Sequence, residues 1–264
     1  MLDKSEVNVT SWNPQQYRQF SDHRLRPALE LLDRLPAENP RLVYDLGCGA
    51  GEITAILAEK WTSANVIGID HSDEMLDHAR TMKSSISWQR VDINRWRPED
   101  KPDVIFSNAA LQWVDGHDHL FPKMISHLSE GGFFAAQMPL SWSAPSHRLM
   151  RETLEEHNLG NRDLRDSMGR RWVEDANFYY DLLSKTAMEI DIWETEYLQI
   201  LTGDDPVLEW VKGTGLRPVL HGLSDKDRET FLNAYRQRLR SAYPGREDGR
   251  TLYPFRRLFI VVQT

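Results

Sequence analysis

One stretch limits what this chain folds into more than any other: Leu42-Val43-Tyr44-Asp45-Leu46-Gly47-Cys48-Gly49-Ala50-Gly51. It reads as a buried strand running into a glycine-rich turn. A helix then opens at Glu52-Ile53-Thr54-Ala55-Ile56-Leu57-Ala58. Glycines let the backbone turn sharply and approach a bound molecule closely. The helix behind them aims free N–H groups at the same place, which suits a carboxylate or a phosphate.

The spacing narrows the ligand. A dinucleotide fingerprint needs G-x-G-x-x-G. Here the glycines fall at 47, 49 and 51, and Glu occupies 52. G-x-G-x-G is the pattern of S-adenosylmethionine enzymes. A second apolar run, Asn65-Val66-Ile67-Gly68-Ile69, ends in Asp70, where an acid accepts both ribose hydroxyls. A third, Ile86-Ser87-Trp88-Gln89-Arg90-Val91, ends in Asp92, at the place that reads an adenine amino group. A fourth, Val104-Ile105-Phe106, ends in Ser107-Asn108. Four strands that each end in a ligand-capable group match a parallel α/β sheet, which binds ligands at its carboxyl edge. The competing reading makes Asp70 and Asp92 helix caps only.

Composition bounds the rest. With 264 residues the chain suits one large domain, or a domain with an added cap. The net charge of −8 speaks against nucleic acid as a partner, because such binding depends on neutralising phosphates. Cys48 is the single cysteine, so neither an internal disulfide nor a cysteine metal cluster is expected, and between two glycines it reads as a small filler. Nor do the nine histidines form a metal-binding pattern. No apolar run approaches the roughly 20 residues that span a bilayer. The first ten residues are too polar for a secretory signal, and a cytoplasmic setting is expected. Oligomeric state is not legible.

In chain order, Asn13-Pro14 reads as a helix start, with Trp12, Tyr17 and Phe20 nearby. A second helix begins near Pro27 and stops at Pro36. Arg24 and Arg26 lie between the two, as solvated surface or as positive charge on a lid formed by residues 1–36. Residues 37–139 alternate strands and helices, with helices near 51–61, 72–82 and 117–129, and predict a mostly parallel sheet covered on both faces. Met75 packs either on an adenine ring or in the core. Beyond Pro139 the pattern changes. Residues 140–185 and 203–250 read as helical insertions that cap the ligand edge, with helices near 145–157, after Pro206 and after Ser224. Residues 186–202 and 255–264 read as the last strands of the sheet.

Residues spread over nearly the whole chain resemble one family. Trp12-Asn13-Pro14-x-x-Tyr17-x-x-Phe20 and Arg24-x-Arg26-Pro27-Ala28 are similar to the start of the trans-aconitate 2-methyltransferases. So are Asp45-Leu46-Gly47-Cys48-Gly49, Asn108-Ala109-Ala110-Leu111-Gln112-Trp113, Gln137-Met138-Pro139, Tyr179-Tyr180-Asp181, Thr214-Gly215-Leu216-Arg217-Pro218 and Arg257-Leu258-Phe259-Ile260-Val261. The glycine loop belongs to a very large superfamily; the N-terminal, Gly-Leu-Arg-Pro and C-terminal segments are more specific.

The resemblance implies a Rossmann-like class I methyltransferase, α/β, with a mostly parallel sheet, an antiparallel last strand and a helical cap. It implies methyl transfer from S-adenosylmethionine to a carboxylate of trans-aconitate, a small tricarboxylate, leaving S-adenosylhomocysteine. By family pattern Asp45, Gly47 and Gly49 hold the methionine end, Asp70 the ribose, Asp92 and Ile93 the adenine, and Asn108 lies beside the transferring methyl. Leu140-Ser141 departs from the pattern, which has an acid–Asn pair after Met-Pro.

A carboxyl group with an ordinary pKa near ~4 is ionised at neutral pH, so this chemistry needs no general base. Arg24, Arg26, Arg217 and Arg257 sit inside the family-like motifs and are candidates to clamp carboxylates. Tyr17, Trp142, Tyr179 and Tyr180 offer hydrogen bonds or walls, or simply fill the core. The nearest alternative is a methyltransferase for a malonyl group on acyl carrier protein. A cofactor-binding homologue without turnover is another.

Overall fold

The computed structural model describes residues 25–82 and 85–264. The expected helix at Asn13-Pro14, with Tyr17 and Arg24, lies outside them. Seven strands form one sheet: β1 Leu42–Leu46, β2 Asn65–Asp70, β3 Ser87–Arg90, β4 Val104–Asn108, β5 Phe133–Pro139, β6 Glu189–Leu201 and β7 Thr251–Gln263. Their order is β3-β2-β1-β4-β5-β7-β6. The first five run parallel to one another, and β7 runs antiparallel to both β5 and β6. This is the expected mostly parallel sheet with an antiparallel last strand.

Every residue of β1 is buried, as a central strand covered on both faces requires. One face carries Tyr44, Leu46, Phe121, Phe134 and Trp96. The other carries Val43, Phe106 and Phe259 under α1, Leu25–Arg34, which buries Leu29, Leu31 and Leu32. Helices α2, Glu52–Lys60, α3, Asp73–Ala79, and α4, His117–Ser126, make the crossovers. Ser72 caps α3 by accepting the Met75 N–H at 3.3 Å.

The β6–β7 pair outruns the sheet. Pairing with β5 ends at Pro139↔Arg257, while β6 continues beside β7 to Leu201↔Thr251. Pro254 lies in this two-stranded end, where a missing N–H is tolerated. Because the ribbon begins at Thr251, the last strand is longer than the sequence suggested.

On this ribbon sits a separate apolar cluster. It comprises α5, Pro145–Glu156; α6, Arg162–Gly169; α8, Pro206–Lys212; α9, Arg217–Gly222; and α10, Asp225–Ala242. Tyr253 and Phe255 of the ribbon pack into it beside Leu208, Phe231 and Tyr235. Two of these helices were not read from the sequence. In α9, Pro218 occupies the first turn, where its missing N–H costs nothing.

One insertion divides differently from the expectation. Helix α7, Ala176–Leu183, lies within 140–185, but it packs on the sheet rather than in the cap. Tyr179 and Leu183, one turn apart, are buried beside Phe121 of α4.

Candidate functional site

The glycine loop has the geometry its sequence demands. Gly47, Gly49 and Gly51 take φ of 76°, 56° and 89°. A Cβ at position 47 would lie 2.2 Å from Ala110 Cβ, so the loop passes the end of β4 with no room for a side chain. Ile69 carbonyl accepts the Gly47 and Cys48 N–H groups at 2.8 and 2.9 Å.

Asp70 serves two backbone segments. Its Oδ2 accepts the Gly49 N–H at 2.9 Å, and its Oδ1 accepts the Ser72 N–H at 2.9 Å. It therefore ties the loop to β2 and starts the turn into α3. Each oxygen keeps acceptor capacity beyond these bonds. Asp92 is exposed and accepts the Asn94 N–H at 2.8 Å. Ile93 Cδ1 lies 3.7 Å from the point a Gly47 Cβ would occupy. Met75 is 39% exposed on α3, which sets it on the surface rather than in the core.

Asp45 lies beneath the loop, fully buried, and accepts the Thr54 hydroxyl at 2.6 Å. Burial pushes its carboxyl up to about 7, Asp70 adds to the rise, and the Thr54 bond opposes it. Asn108 ends β4, and its Oδ1 is buried without a partner. The next residue, Ala109, has φ of 53°, a strained value for a residue with a Cβ.

This donor set matches the groups of S-adenosylmethionine. The loop offers open space above Gly49 and the free N–H groups of α2. The strand ends offer Asp45, Asp70, Asp92 and the unpartnered Asn108 Oδ1. A cationic molecule with ribose hydroxyls and an ammonium group needs such acceptors, and a carboxylate suits the helix end. The residues fit.

Beside Asn108 opens a cavity of about 810 Å³ between the sheet edge and the cap. Six arginines line it: Arg151, Arg170, Arg171, Arg217, Arg256 and Arg257. Only Asp175 and Glu194 among its lining residues are acidic. Arg256 pairs with Glu194, Arg170 with Asp115 at 2.6 Å, and Arg171 with Glu174 at 3.4 Å. Arg151, Arg217 and Arg257 have no carboxylate within ion-pairing distance among the described residues. Arg257 is buried, donates to Gln137 Oε1 at 3.1 Å and lies 4.3 Å from the Phe255 ring centre. Burial pushes its pKa down to about 10, so it stays charged at neutral pH.

Of the candidate substrate-binding residues, Trp142, Arg217 and Arg257 line this cavity. Trp142 lies under the Arg151 guanidinium, 4.2 Å from its ring centre. Arg26, on α1, is not part of the lining; it covers the Tyr197 ring of β6 at 4.9 Å. Tyr179 is corrected: it is fully buried in the core, with its hydroxyl 2.7 Å from His117 Nδ1 and accepting the Glu174 N–H at 3.3 Å. Tyr180 is exposed and does not line the cavity. Sequence reasoning missed Arg151 and His147, although their four-residue spacing on one helix face next to Trp142 was a readable signal.

Among the described residues no group of His, Cys, Asp and Glu is arranged to hold a metal ion, and no helix is long and apolar enough to cross a membrane.

Comparison with known proteins bears on family and fold. Residues 43–132 match a family described as a methyltransferase domain. A trans-aconitate 2-methyltransferase of Azoarcus sp. (strain BH72) is 42% identical over 256 residues, covering 96% of this chain and 99% of that protein. One from Shigella flexneri is 42% identical over 255 residues, covering 97% and 99%. Among solved structures, the YcgJ protein of Bacillus subtilis superposes with a TM-score of 0.60 at 15% identity, covering 90% of this chain and 98% of that one. Haemonchus contortus phosphoethanolamine N-methyltransferase 2, in complex with S-adenosyl-L-methionine, gives 0.54 at 15% identity, covering 96% and 58%. These two likenesses carry the fold.

Proposed function

This chain belongs to the trans-aconitate 2-methyltransferase family, and from that premise we propose that it esterifies one carboxylate of trans-aconitate with a methyl group from S-adenosylmethionine. The observation that carries the reading is the charge of the cavity. Arg151, Arg217 and Arg257, without acid partners among the described residues, share one space with Asn108 at the end of β4.

Bound in the loop, S-adenosylmethionine would supply an electrophilic methyl to a carboxylate oxygen, with the sulfur keeping the electron pair and S-adenosylhomocysteine as the leaving group. All other contributions come from the chain. Asp45 and the Gly47–Gly49 backbone hold the methionine end, Asp70 the ribose hydroxyls, Asp92 and Ile93 the adenine, and Met75 flanks the ring. Asn108 offers its free Oδ1 next to the reacting centre.

The nucleophile needs no base, because a carboxyl with an ordinary pKa near ~4 is already ionised. What remains is placement, worth roughly 7–11 kcal/mol when two reactants are held in line. Guanidinium groups are suited to gripping carboxylates through paired N–H bonds. A tight grip on the attacking oxygen would blunt it. The arginines therefore hold the carboxylates that do not react, and the reacting one meets weaker donors.

The test is release of S-adenosylhomocysteine by the purified protein with trans-aconitate, beside cis-aconitate, citrate and isocitrate. Turnover fastest on trans-aconitate is expected. Equal or faster turnover on another acid would discard this substrate while leaving the methyl-transfer chemistry in place.

A further inference from the structure

Helix α5 presents two residues to the cavity from adjacent turns, His147 and Arg151. The backbone before His147 is pinned with care. Ser146 is fully buried, its N–H donates to the Tyr243 hydroxyl at 3.0 Å, and its carbonyl accepts the Tyr235 hydroxyl at 2.8 Å. Its Oγ lies 3.2 Å from the Tyr253 hydroxyl and 3.2 Å from His147 Nδ1. Three tyrosines, Tyr235 on α10, Tyr243 just after it and Tyr253 on β7, thus fix one residue, which in turn contacts one nitrogen of the imidazole.

The other nitrogen, Nε2, has no protein partner among the described residues. It points toward the turn that leads into α9. A Cβ at position 215 would lie 2.6 Å from it, so only glycine leaves the imidazole its place. Two residues on, Arg217 lines the same cavity, and the Arg151 guanidinium is held on Trp142.

We infer that His147 is a substrate-binding residue: through Nε2–H it holds the reacting carboxylate of the bound acid, while Arg151 and Arg217 grip the others. The inference rests on the function proposed above and adds a subsite to it. Binding through Nε2–H requires the tautomer in which the Tyr253 hydroxyl donates to Ser146 Oγ and the Ser146 hydroxyl donates to Nδ1, an order that the two 3.2 Å contacts permit. Burial and the neighbouring Arg151 push the imidazole pKa down to about 4, so the donor carries no charge at working pH. That difference from arginine matters here. An uncharged N–H orients an oxygen without drawing off much of its charge, and an ester carbonyl accepts from it as readily as a carboxylate does. The subsite therefore suits a group that begins as an anion and ends as an ester.

The experiment compares kcat and KM for trans-aconitate and for S-adenosylmethionine in the unaltered chain, His147→Leu, His147→Gln and Gly215→Ala. The Leu variant is expected to raise KM for trans-aconitate about tenfold, the scale of one lost hydrogen bond to a charged group, with KM for the cofactor unchanged. The Gln variant places an amide N–H near the Nε2 position and is expected to recover most of the loss. Ala at 215 pushes the imidazole aside and is expected to resemble Leu at 147. An unchanged KM in His147→Leu overturns the proposal, and so does a Gln variant as impaired as Leu, since that would mean packing alone. Should the Leu variant not fold, His147→Asn, whose amide reaches only the Nδ1 position, replaces it with the same two outcomes. Absence of turnover in the unaltered chain is a failure of the proposed function instead. Calorimetric binding of trans-aconitate then decides: weaker binding in the variant supports the subsite, and equal or no binding in both overturns it.

Discussion

Arg257 Nη1 donates to Gln137 Oε1 at 3.1 Å, joining two buried groups that make no ion pair among the described residues. Arg257 Nε and Gln137 Nε2 are both buried and unsatisfied. Leaving a buried cation without an acid is costly for a fold. It is tolerable when an anionic ligand completes the arrangement. Arg257→Met is therefore expected to unfold at the same temperature as the unaltered protein or a higher one, while kcat/KM for trans-aconitate falls at least about 100-fold, the scale of losing one partner of a desolvated charge pair. Trans-aconitate should raise the unfolding temperature of the unaltered chain and not of the variant. A variant that is clearly less stable yet fully active would make Arg257 a structural residue.

Asp45 gives a pH signature with a defined sign. Its carboxyl is raised by burial from an ordinary 3.8 to about 7 in the fold. Between those values the native chain holds a proton that the unfolded chain has lost, so stability without cofactor falls as pH rises from about 4 to about 7, then levels off. Asp45→Asn removes that slope while keeping an oxygen for the Thr54 hydroxyl. Chemical denaturation at several pH values should show a loss of a few kcal/mol across this window in the unaltered protein and a much flatter profile in the variant. Parallel profiles for the two proteins would mean that Asp45 titrates normally.

What the sequence reveals and conceals divides by distance along the chain. The loop from Asp45 to Gly51, and the acids closing β2 and the β3 run, are legible because each belongs to one strand and the turn after it. The mostly parallel sheet follows from the alternation of strands and helices. The cavity is different. His147 meets Gly215 only because α5 and the turn before α9 pack on the same ribbon, and no local pattern records that meeting. Tyr179 illustrates the opposite error. Its motif suggested a ligand, but its spacing with Leu183, one turn on, is that of a buried helix face, and burial is what the fold gives it.

Gly47 and Gly49 share a positive φ but not the same surroundings. An alanine at 47 would place Cβ 2.2 Å from Ala110 Cβ, whereas nothing lies within 4 Å of a Cβ at 49. Gly47→Ala is expected to shift the loop against β4, costing stability as well as cofactor affinity. Gly49→Ala should cost only the left-handed backbone penalty of about 1–2 kcal/mol in stability, and fill space that the proposed cofactor needs. Equilibrium dialysis with S-adenosylhomocysteine, beside thermal unfolding, separates the two. Full affinity in Gly49→Ala would remove that loop face from the cofactor site.

Glu30 is the anchor that holds α1 on the outermost strand. Its Oε1 accepts the Trp193 indole N–H at 3.1 Å and the Thr195 hydroxyl at 2.6 Å, and its Oε2 accepts the Tyr197 hydroxyl at 2.5 Å. All three donors alternate along β6, so one carboxylate spans one face of that strand. Burial alone would raise its pKa, but the bonds from Thr195, Tyr197 and Trp193, with Arg26 nearby, outweigh it and hold the group below its usual range. A depressed carboxylate stabilises the fold above its unfolded pKa and loses that contribution as pH falls through the folded value. Acid unfolding of the unaltered chain should therefore show a component below the ordinary value of 4.5 that is missing in Glu30→Gln. Glu30→Ala, which strands three donors, should cost about 1–3 kcal/mol or more at neutral pH. Because α1 begins with Arg26 over Tyr197 at the ligand edge, loosening it is also expected to raise KM for trans-aconitate. Loss of stability with KM unchanged would confine α1 to a scaffolding role.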